Sequence, residues 1–555
     1  MPPLARLAGS ANHSWIEQLS PDPEIEKFAP NKQEREVHSG HYVLVTPTPL
    51  PRSKLVIHSP AMADALGISD EEVVGEDFVA FFSGEQRRVP ELRSWCTPYA
   101  LAIMGEEYNH QCIFGTGNGY GDGRAVSVGE VLVDGRRWEM QLKGGGKTPF
   151  CRGADGRAVL RSSVREFLAS EAMHNLGVET TRALSLVVST SETVSRPWYG
   201  KQTVAREQCA ITTRVAPSFL RVGHLDLFAR RARRSDATPL QLREHAQLIE
   251  HAIFREFPEV QADMPFEDRA LAMLDLAAER FGALIAGWLR VGFCQGNFNA
   301  DNCLISGRTM DYGPFGFLER YDPNFCLWTN GKPHFAFRNQ PQAALANYMT
   351  LANAVLPNAS RDTRQGLMNK AAAVIKAAEA ETWRKKLGFA VAGSTLASSS
   401  WKELDVLLRR SEVDYTIFWR QLAAVAELPE TSLDRDASIA EPVMCAFYTE
   451  PTGKLLVEWA RWLRDWRSAV ASEAAGGGGL AAAPARLRAV NPKYVPREWM
   501  LANAYTQAQE GDFGGVHELY KLFLCPYAEQ PDLEAKYYCR APEEVRNKGG
   551  IAFMT

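Results

Sequence analysis

Asn302 and Asp311 stand nine positions apart in "DNCLISGRTMDYGPFG" (301–316), joined across Ser306-Gly307. An amide and a carboxylate oxygen brought together by such a turn can share one hard divalent cation, since Mg²⁺ takes oxygen ligands. Asn and Asp also favour turns for their own sake, so the segment alone reads equally well as a surface hairpin. Upstream, Lys143 closes "RRWEMQLK", and Glu166 follows 23 residues later in "VLRSSVREFLASEAMHN". A strand-end ammonium steadied by a helix carboxylate is a way to aim positive charge at phosphates. Glycines crowd the stretches "GTGNGYGDGR" and "KGGGKT" on either side of that strand pair. Their backbone amides can approach phosphate oxygens closely.

The order glycine-rich hairpin, lysine, glutamate, helical stretch, asparagine, aspartate is that of protein kinases, with Asp-Tyr-Gly in place of D-F-G. One part is missing. A kinase carries its catalytic Asp about five positions before the metal-binding Asn; in "GFCQGNFNADN" that place is held by Asn297. An ordinary protein kinase is therefore excluded. "GGGKT" (144–148) is not a phosphate-binding P-loop either, because the pattern needs glycine where Gln141 stands, and Pro149 denies it an immediate helix.

These side chains need a sheet and helices to position them. "AVSVGEVLV" and "RRWEMQLK" read as two strands joined by Asp134-Gly135, a strong hairpin signal. "VLRSSVREFLASEAMHNLG" reads as an amphipathic helix with a serine start and Gly177 as its stop. "RALSLVVST" and "CAITTRVA" read as further strands, and from about residue 220 the pattern becomes helical. "VLVTPTPLP" is extended but too rich in proline for a central strand. The expectation is an α+β chain, with an N-terminal extension (1–100), a β-rich lobe (101–220), a helical lobe (221–470), a Gly/Ala-rich loop (471–485) and a helical tail (486–555).

With a net charge of −4, no global basic field draws the chain to nucleic acid or acidic membranes. No apolar run reaches the length of a membrane span. The ten cysteines form no C-x-x-C, which disfavours zinc. "MPPLARLAGSANHSW" lacks the apolar core of a secretory signal and weakly resembles a short organelle-targeting peptide.

"LKGGGKTPFCRGADGRAVLRSSVREFLASEAMHNLGVETTRALSLV", "TRVAPSFLRVGH", "NADNCLISGRTMDYGPFGFLERYDP", "VNPKYVPREWM" and "PYAEQP" closely resemble the selenoprotein O family. The resemblance implies a protein-kinase-like bilobal fold that binds ATP turned around and transfers AMP to Ser, Thr or Tyr hydroxyls of other proteins. It implies Mg²⁺, or Mn²⁺, held by Asn302 and Asp311, and Asp301 as proton acceptor. Gly121, Gly123 and Arg124 match nucleotide-loop positions, and Asp155 and Gly156 a second nucleotide-contacting turn. Arg214 and Arg221 would hold the triphosphate tail with Lys143, which Glu166 orients. The family placement is mitochondrial, with cytoplasm or plastid as alternatives. A catalytically silent nucleotide-binding scaffold and a small-molecule kinase stay open as rival readings.

The chain departs from the family in three places. Gln295-Gly296 replaces His-Gly, "HQCIFG" replaces "GHQFG", and the end "GGIAFMT" lacks the terminal cysteine or selenocysteine. In its absence, Cys326 on the activation segment is expected to pair with Cys539 in the tail.

Overall fold

The structure is a computed structural model that describes residues 4–97, 123–151, 153–198, 203–327, 333–473 and 479–546. The described residues hold one eight-stranded antiparallel sheet. Its strands are β1 (Val43–Leu44), β2 (Ser53–His58), β3 (Trp95–Cys96), β4 (Ala125–Val133), β5 (Arg136–Lys143), β6 (Ala158–Val159), β7 (Arg182–Trp198) and β8 (Thr203–Ala216). They lie in the order β1-β3-β4-β5-β8-β7-β2, with β6 against β8. The β4–β5 hairpin turns where the sequence indicates: Asp134 and Gly135 both take positive φ, 49° and 77°, as a two-residue type I′ turn requires. The proline-rich "VLVTPTPLP" contributes only β1, at the sheet edge, where missing donors cost least. Of the glycine-rich stretch "GTGNGYGDGR" (115–124), residues 115–122 lie outside the described residues.

The helix Leu160–Asn175 departs from expectation in two ways. Its N-cap is Val159, without a side-chain cap, and Ser162 instead bonds back to the Val159 carbonyl at 3.0 Å. It is also not amphipathic, because every residue from Leu160 to Met173 is buried. The sheet covers one side, and the helices Glu498–Gln509 and Gly514–Leu524 cover the other. Burial on all faces obliges its polar side chains to find partners. Arg161 pairs with Glu207, and Arg165 donates to the Phe315 carbonyl (3.1 Å) and to Glu498 (3.0 Å). The stop is as read: Gly177 takes φ 70° just beyond the end.

The second lobe is helical. Its long helix Phe266–Val291 packs on Gln340–Val355 and Arg361–Lys386 and ends at Gly292, whose φ of 77° closes the last turn. The chain then enters β9 (Phe293–Gln295), which pairs antiparallel with β10 (Phe315–Phe317). This short ladder clamps the ends of loop 296–314, which carries Asn302 and Asp311. Gly307 makes the expected turn at φ 70°; a Cβ there would stand 2.7 Å from the Arg280 carbonyl oxygen. The architecture is thus α+β with a β-rich and a helical lobe. No described helix is long and apolar enough to cross a membrane.

Candidate active site

Strand register brings the first cluster together. Gln141 of β5 sits opposite Arg214 of β8, and Lys143 lies two residues further along β5. Side chains at i and i+2 share a face, and so do cross-strand partners, so Lys143, Gln141 and Arg214 project from one side of the sheet. The Leu160–Asn175 helix crosses that side and supplies Glu166. Lys143 Nζ donates to Glu166 Oε2 at 2.6 Å and to Asp311 Oδ1 at 3.1 Å. Arg214 donates through Nε to Glu166 Oε1 and through Nη2 to Asp311 Oδ1 at 3.0 Å. Two cations thus face two carboxylates. The side chains of Lys143, Glu166 and Arg214 are at most 5% exposed, so water screens these pairs weakly.

Burial by itself would raise the Glu166 carboxyl, but Arg214 and Lys143 outweigh it and hold the group below its usual value. Asp311 is driven further: burial opposes ionisation, yet Lys143 and Arg214, helped by Arg124, keep the carboxyl far below the carboxylate range. Asp311 also takes φ 57°, a left-handed conformation that an Asp tolerates at a cost.

The loop from Gln295 to Asn302 builds the other wall. Gln295 Nε2 donates to the Met310 carbonyl at 2.9 Å, and Asn302 Nδ2 donates to the Asn297 carbonyl at 3.0 Å. The Gln295 amide therefore ties the strand before the loop to the residue preceding Asp311. Asn297 Nδ2 donates to Asp311 Oδ2 at 3.0 Å. The side-chain oxygens of Asn297 and Asn299 are buried and accept no hydrogen bond among the described residues. A buried carbonyl oxygen without a donor is unfavourable unless water or a cation meets it. Among the described residues no group of three His, Cys, Asp or Glu side chains is placed to hold a metal. A cation here would rest on Asp311, amide oxygens and phosphate, a hard-oxygen set that fits Mg²⁺ and suits zinc poorly.

The remaining expected residues divide. Asp301 is buried in the short turn Ala300–Asn302, and Arg221 Nη1 donates to its backbone carbonyl at 3.1 Å. Arg221 therefore stands beside Asp301, while Arg214 stands beside Lys143. Gly123, Gln141, Phe150, Arg221 and His224 line one recess beneath β4 and β5. A Cβ on Gly123 would overlap the Phe150 carbonyl oxygen at 1.7 Å, so that close approach admits only glycine. The Arg124 charge acts on both Asp311 and Asp155. Asp155 forks onto Arg196 at 2.7 and 2.8 Å, a partner the sequence does not suggest. Gly156 accepts from the Gly146 amide at 3.1 Å, which ties its turn to the glycines after Lys143. Gly121 lies outside the described residues.

The described cysteines are free thiols, Cys326 and Cys539 included. Cys294 Sγ on β9 donates to the Phe325 carbonyl at 3.2 Å and the Phe335 carbonyl at 3.4 Å, and burial and the neighbouring Cys326 push its thiol well up. Cys539 Sγ donates to the Lys536 carbonyl at 3.7 Å.

A family model described as protein adenylyltransferase SelO matches residues 27–523. The chain belongs to this family. It is 37% identical over 554 residues to a protein nucleotidyltransferase YdiU of Aromatoleum aromaticum, with 98% of each chain covered. It is 37% identical over 555 residues to the YdiU protein of an Azoarcus species, again covering 98% of each chain. With the YdiU protein of Flavobacterium johnsoniae it shares 34% identity over 558 residues and 98% of both chains. These SelO-family relatives are bacterial, which weighs against the mitochondrial placement implied by the resemblance.

Proposed function

We propose that this chain is a protein adenylyltransferase that takes ATP as co-substrate and modifies Ser, Thr or Tyr hydroxyls of other proteins. The observation that carries this reading is the buried cluster of Lys143, Glu166, Arg214 and Asp311. Two cations preorganised in a water-poor site suit a polyphosphate better than any neutral ligand. Glu166 holds Lys143 and Arg214 side by side, so both can face the same phosphates. With the β- and γ-phosphates held there, the α-phosphorus is turned toward the acceptor.

Asp311 and Asn302 would hold Mg²⁺, or Mn²⁺, whose charge would offset that of the phosphates. The acceptor oxygen bonds to the α-phosphorus, the bond from that phosphorus to the bridging oxygen breaks, and pyrophosphate leaves. The hydroxyl proton passes to the Asp301 carboxylate. The turn that carries Asp301 is steadied by Arg221, whose Nη1 donates to the Asp301 backbone carbonyl at 3.1 Å. Gly123, Arg124, Asp155 and Gly156 would contact the nucleotide from the glycine-rich side.

Parallel incubation with α-³²P-ATP and γ-³²P-ATP tests the reading. Label on protein from the α-phosphate alone is expected. Label from the γ-phosphate on protein or on a small molecule would establish a kinase instead, and tight ATP binding without label on any protein would leave a scaffold.

A further inference from the structure

Asn297 stands where a kinase has its catalytic Asp, and an amide there cannot serve as a base. Its contacts suggest a different task. Nδ2 donates to Asp311 Oδ2 at 3.0 Å, and the backbone carbonyl accepts from Asn302 Nδ2 at 3.0 Å. The same carbonyl accepts from the Asn299 amide at 2.7 Å, which fixes the peptide itself. Asn297 thus touches both expected metal ligands, one through its side chain and one through its backbone. The orientation of its amide follows from the contacts: Asp311 already accepts from the Lys143 ammonium and the Arg214 guanidinium, and the amide atom within reach of its Oδ2 is the donating NH₂. The other atom of the amide, Oδ1, is then directed away from the carboxylate, where it is buried and accepts no bond among the described residues. Lys143 and Arg214 already share Oδ1 of Asp311, so Oδ2 is the carboxylate oxygen with acceptor capacity to spare.

We propose that Asn297 is a positioning residue of the metal site. Its Nδ2 sets the rotation of the Asp311 carboxylate and its backbone carbonyl sets the Asn302 amide, so that both can offer oxygen to one divalent cation. The proposal rests on the reading of Asp311 and Asn302 as metal ligands.

The test is Mn²⁺ alone, titrated into the full chain without nucleotide and followed by the electron paramagnetic resonance signal of the free ion. Asn297→Leu keeps the side-chain size and removes both amide atoms. It should weaken Mn²⁺ by about tenfold or more, the usual cost of removing a group that orients a ligand. A residue that only shapes the turn would leave Mn²⁺ affinity unchanged in Asn297→Leu. Melting curves in EDTA verify folding; if Asn297→Leu does not fold, Asn297→Ala, which removes the same two amide atoms, decides in its place, with unchanged binding overturning the proposal.

Asp311→Ala separates the two layers of the argument. Loss of Mn²⁺ there, with wild-type affinity in Asn297→Leu, overturns the role of Asn297 and leaves the metal site standing. Wild-type affinity in Asp311→Ala overturns both.

Discussion

Replacing Glu166 by Gln tests whether the buried charge cluster is organised as its geometry indicates. The carboxylate accepts from Lys143 on one oxygen and from Arg214 on the other, so the substitution turns a balanced set of two cations and two anions into one with a net positive charge. Breaking a buried pair by removing one partner costs about 3–5 kcal/mol, because the remaining charge is left uncompensated in a poor solvent. The cost should be local to the Leu160–Asn175 helix and the strands beneath it. Native-state hydrogen exchange of that helix reads it directly, without requiring the whole chain to unfold as one unit. At 1.4 kcal/mol per tenfold, helix amides should exchange about a hundred- to a few-thousand-fold faster in Glu166→Gln.

Two controls sharpen the expectation. Adding Lys143→Met to Glu166→Gln removes a stranded cation, so the double variant should lose less than the sum of its parts. The folded carboxyl lies below its unfolded value, so its contribution is complete above the unfolded value of about 4.3 and is lost as pH falls through the folded one. The gap between wild type and variant should therefore narrow on acidification below about pH 4. Exchange rates in the helix within about threefold of wild type at neutral pH would refute the reasoning, since a buried, paired carboxylate cannot be that dispensable.

Asp311→Ala should abolish α-³²P transfer to protein, and Asn302→Ala should reduce it less, because water can replace one neutral amide oxygen. Equal transfer by wild type and Asp311→Ala would remove the metal assignment. Arg214→Ala should weaken ATP binding in isothermal titration by about 1.5–3 kcal/mol, the worth of a hydrogen bond to a charged group. Unchanged affinity would show that phosphate does not reach this arginine. Oxidation of the native protein with diamide should yield a Cys294–Cys326 disulfide in non-reducing peptide maps. Recovery of a Cys326–Cys539 peptide instead would mean that the tail reaches the activation segment after all.

Much of the scaffold is written locally. The β4–β5 hairpin follows from alternating strand residues around Asp134-Gly135, and the Ser306-Gly307 turn from a glycine that alone fits beneath Arg280. The lysine–glutamate pair was legible because strand end and helix follow one another directly, and their order leaves few ways to pack. Asn302 and Asp311 stood out by their spacing across a short turn; in the structure each bonds to Asn297, Asp311 through its side-chain amide and Asn302 through its backbone carbonyl.

Long-range packing decided the rest. Arg214 joins the cluster because β8 lies against β5 in a register that puts it opposite Gln141. Arg221, seven residues on, leaves the sheet and turns to the Asp301 segment instead. A one-residue slip of β8 would carry Arg214 to the other face, and nothing in the local sequence forbids that slip. The Leu160–Asn175 helix looks amphipathic in sequence because polar residues interrupt it. It is buried all round because helices more than 300 residues later supply partners such as Glu498, whose separation from Arg165 is 333 residues. Asn297 could be read from sequence only as a missing base; its amide gains meaning from a carboxylate 14 residues away that the β9–β10 clamp folds against it. Local propensity acts over a few residues and so sets turns, strands and helices. Which polar side chains meet in a buried site depends on sheet register and helix docking, and those are settled only when the whole chain has closed around them.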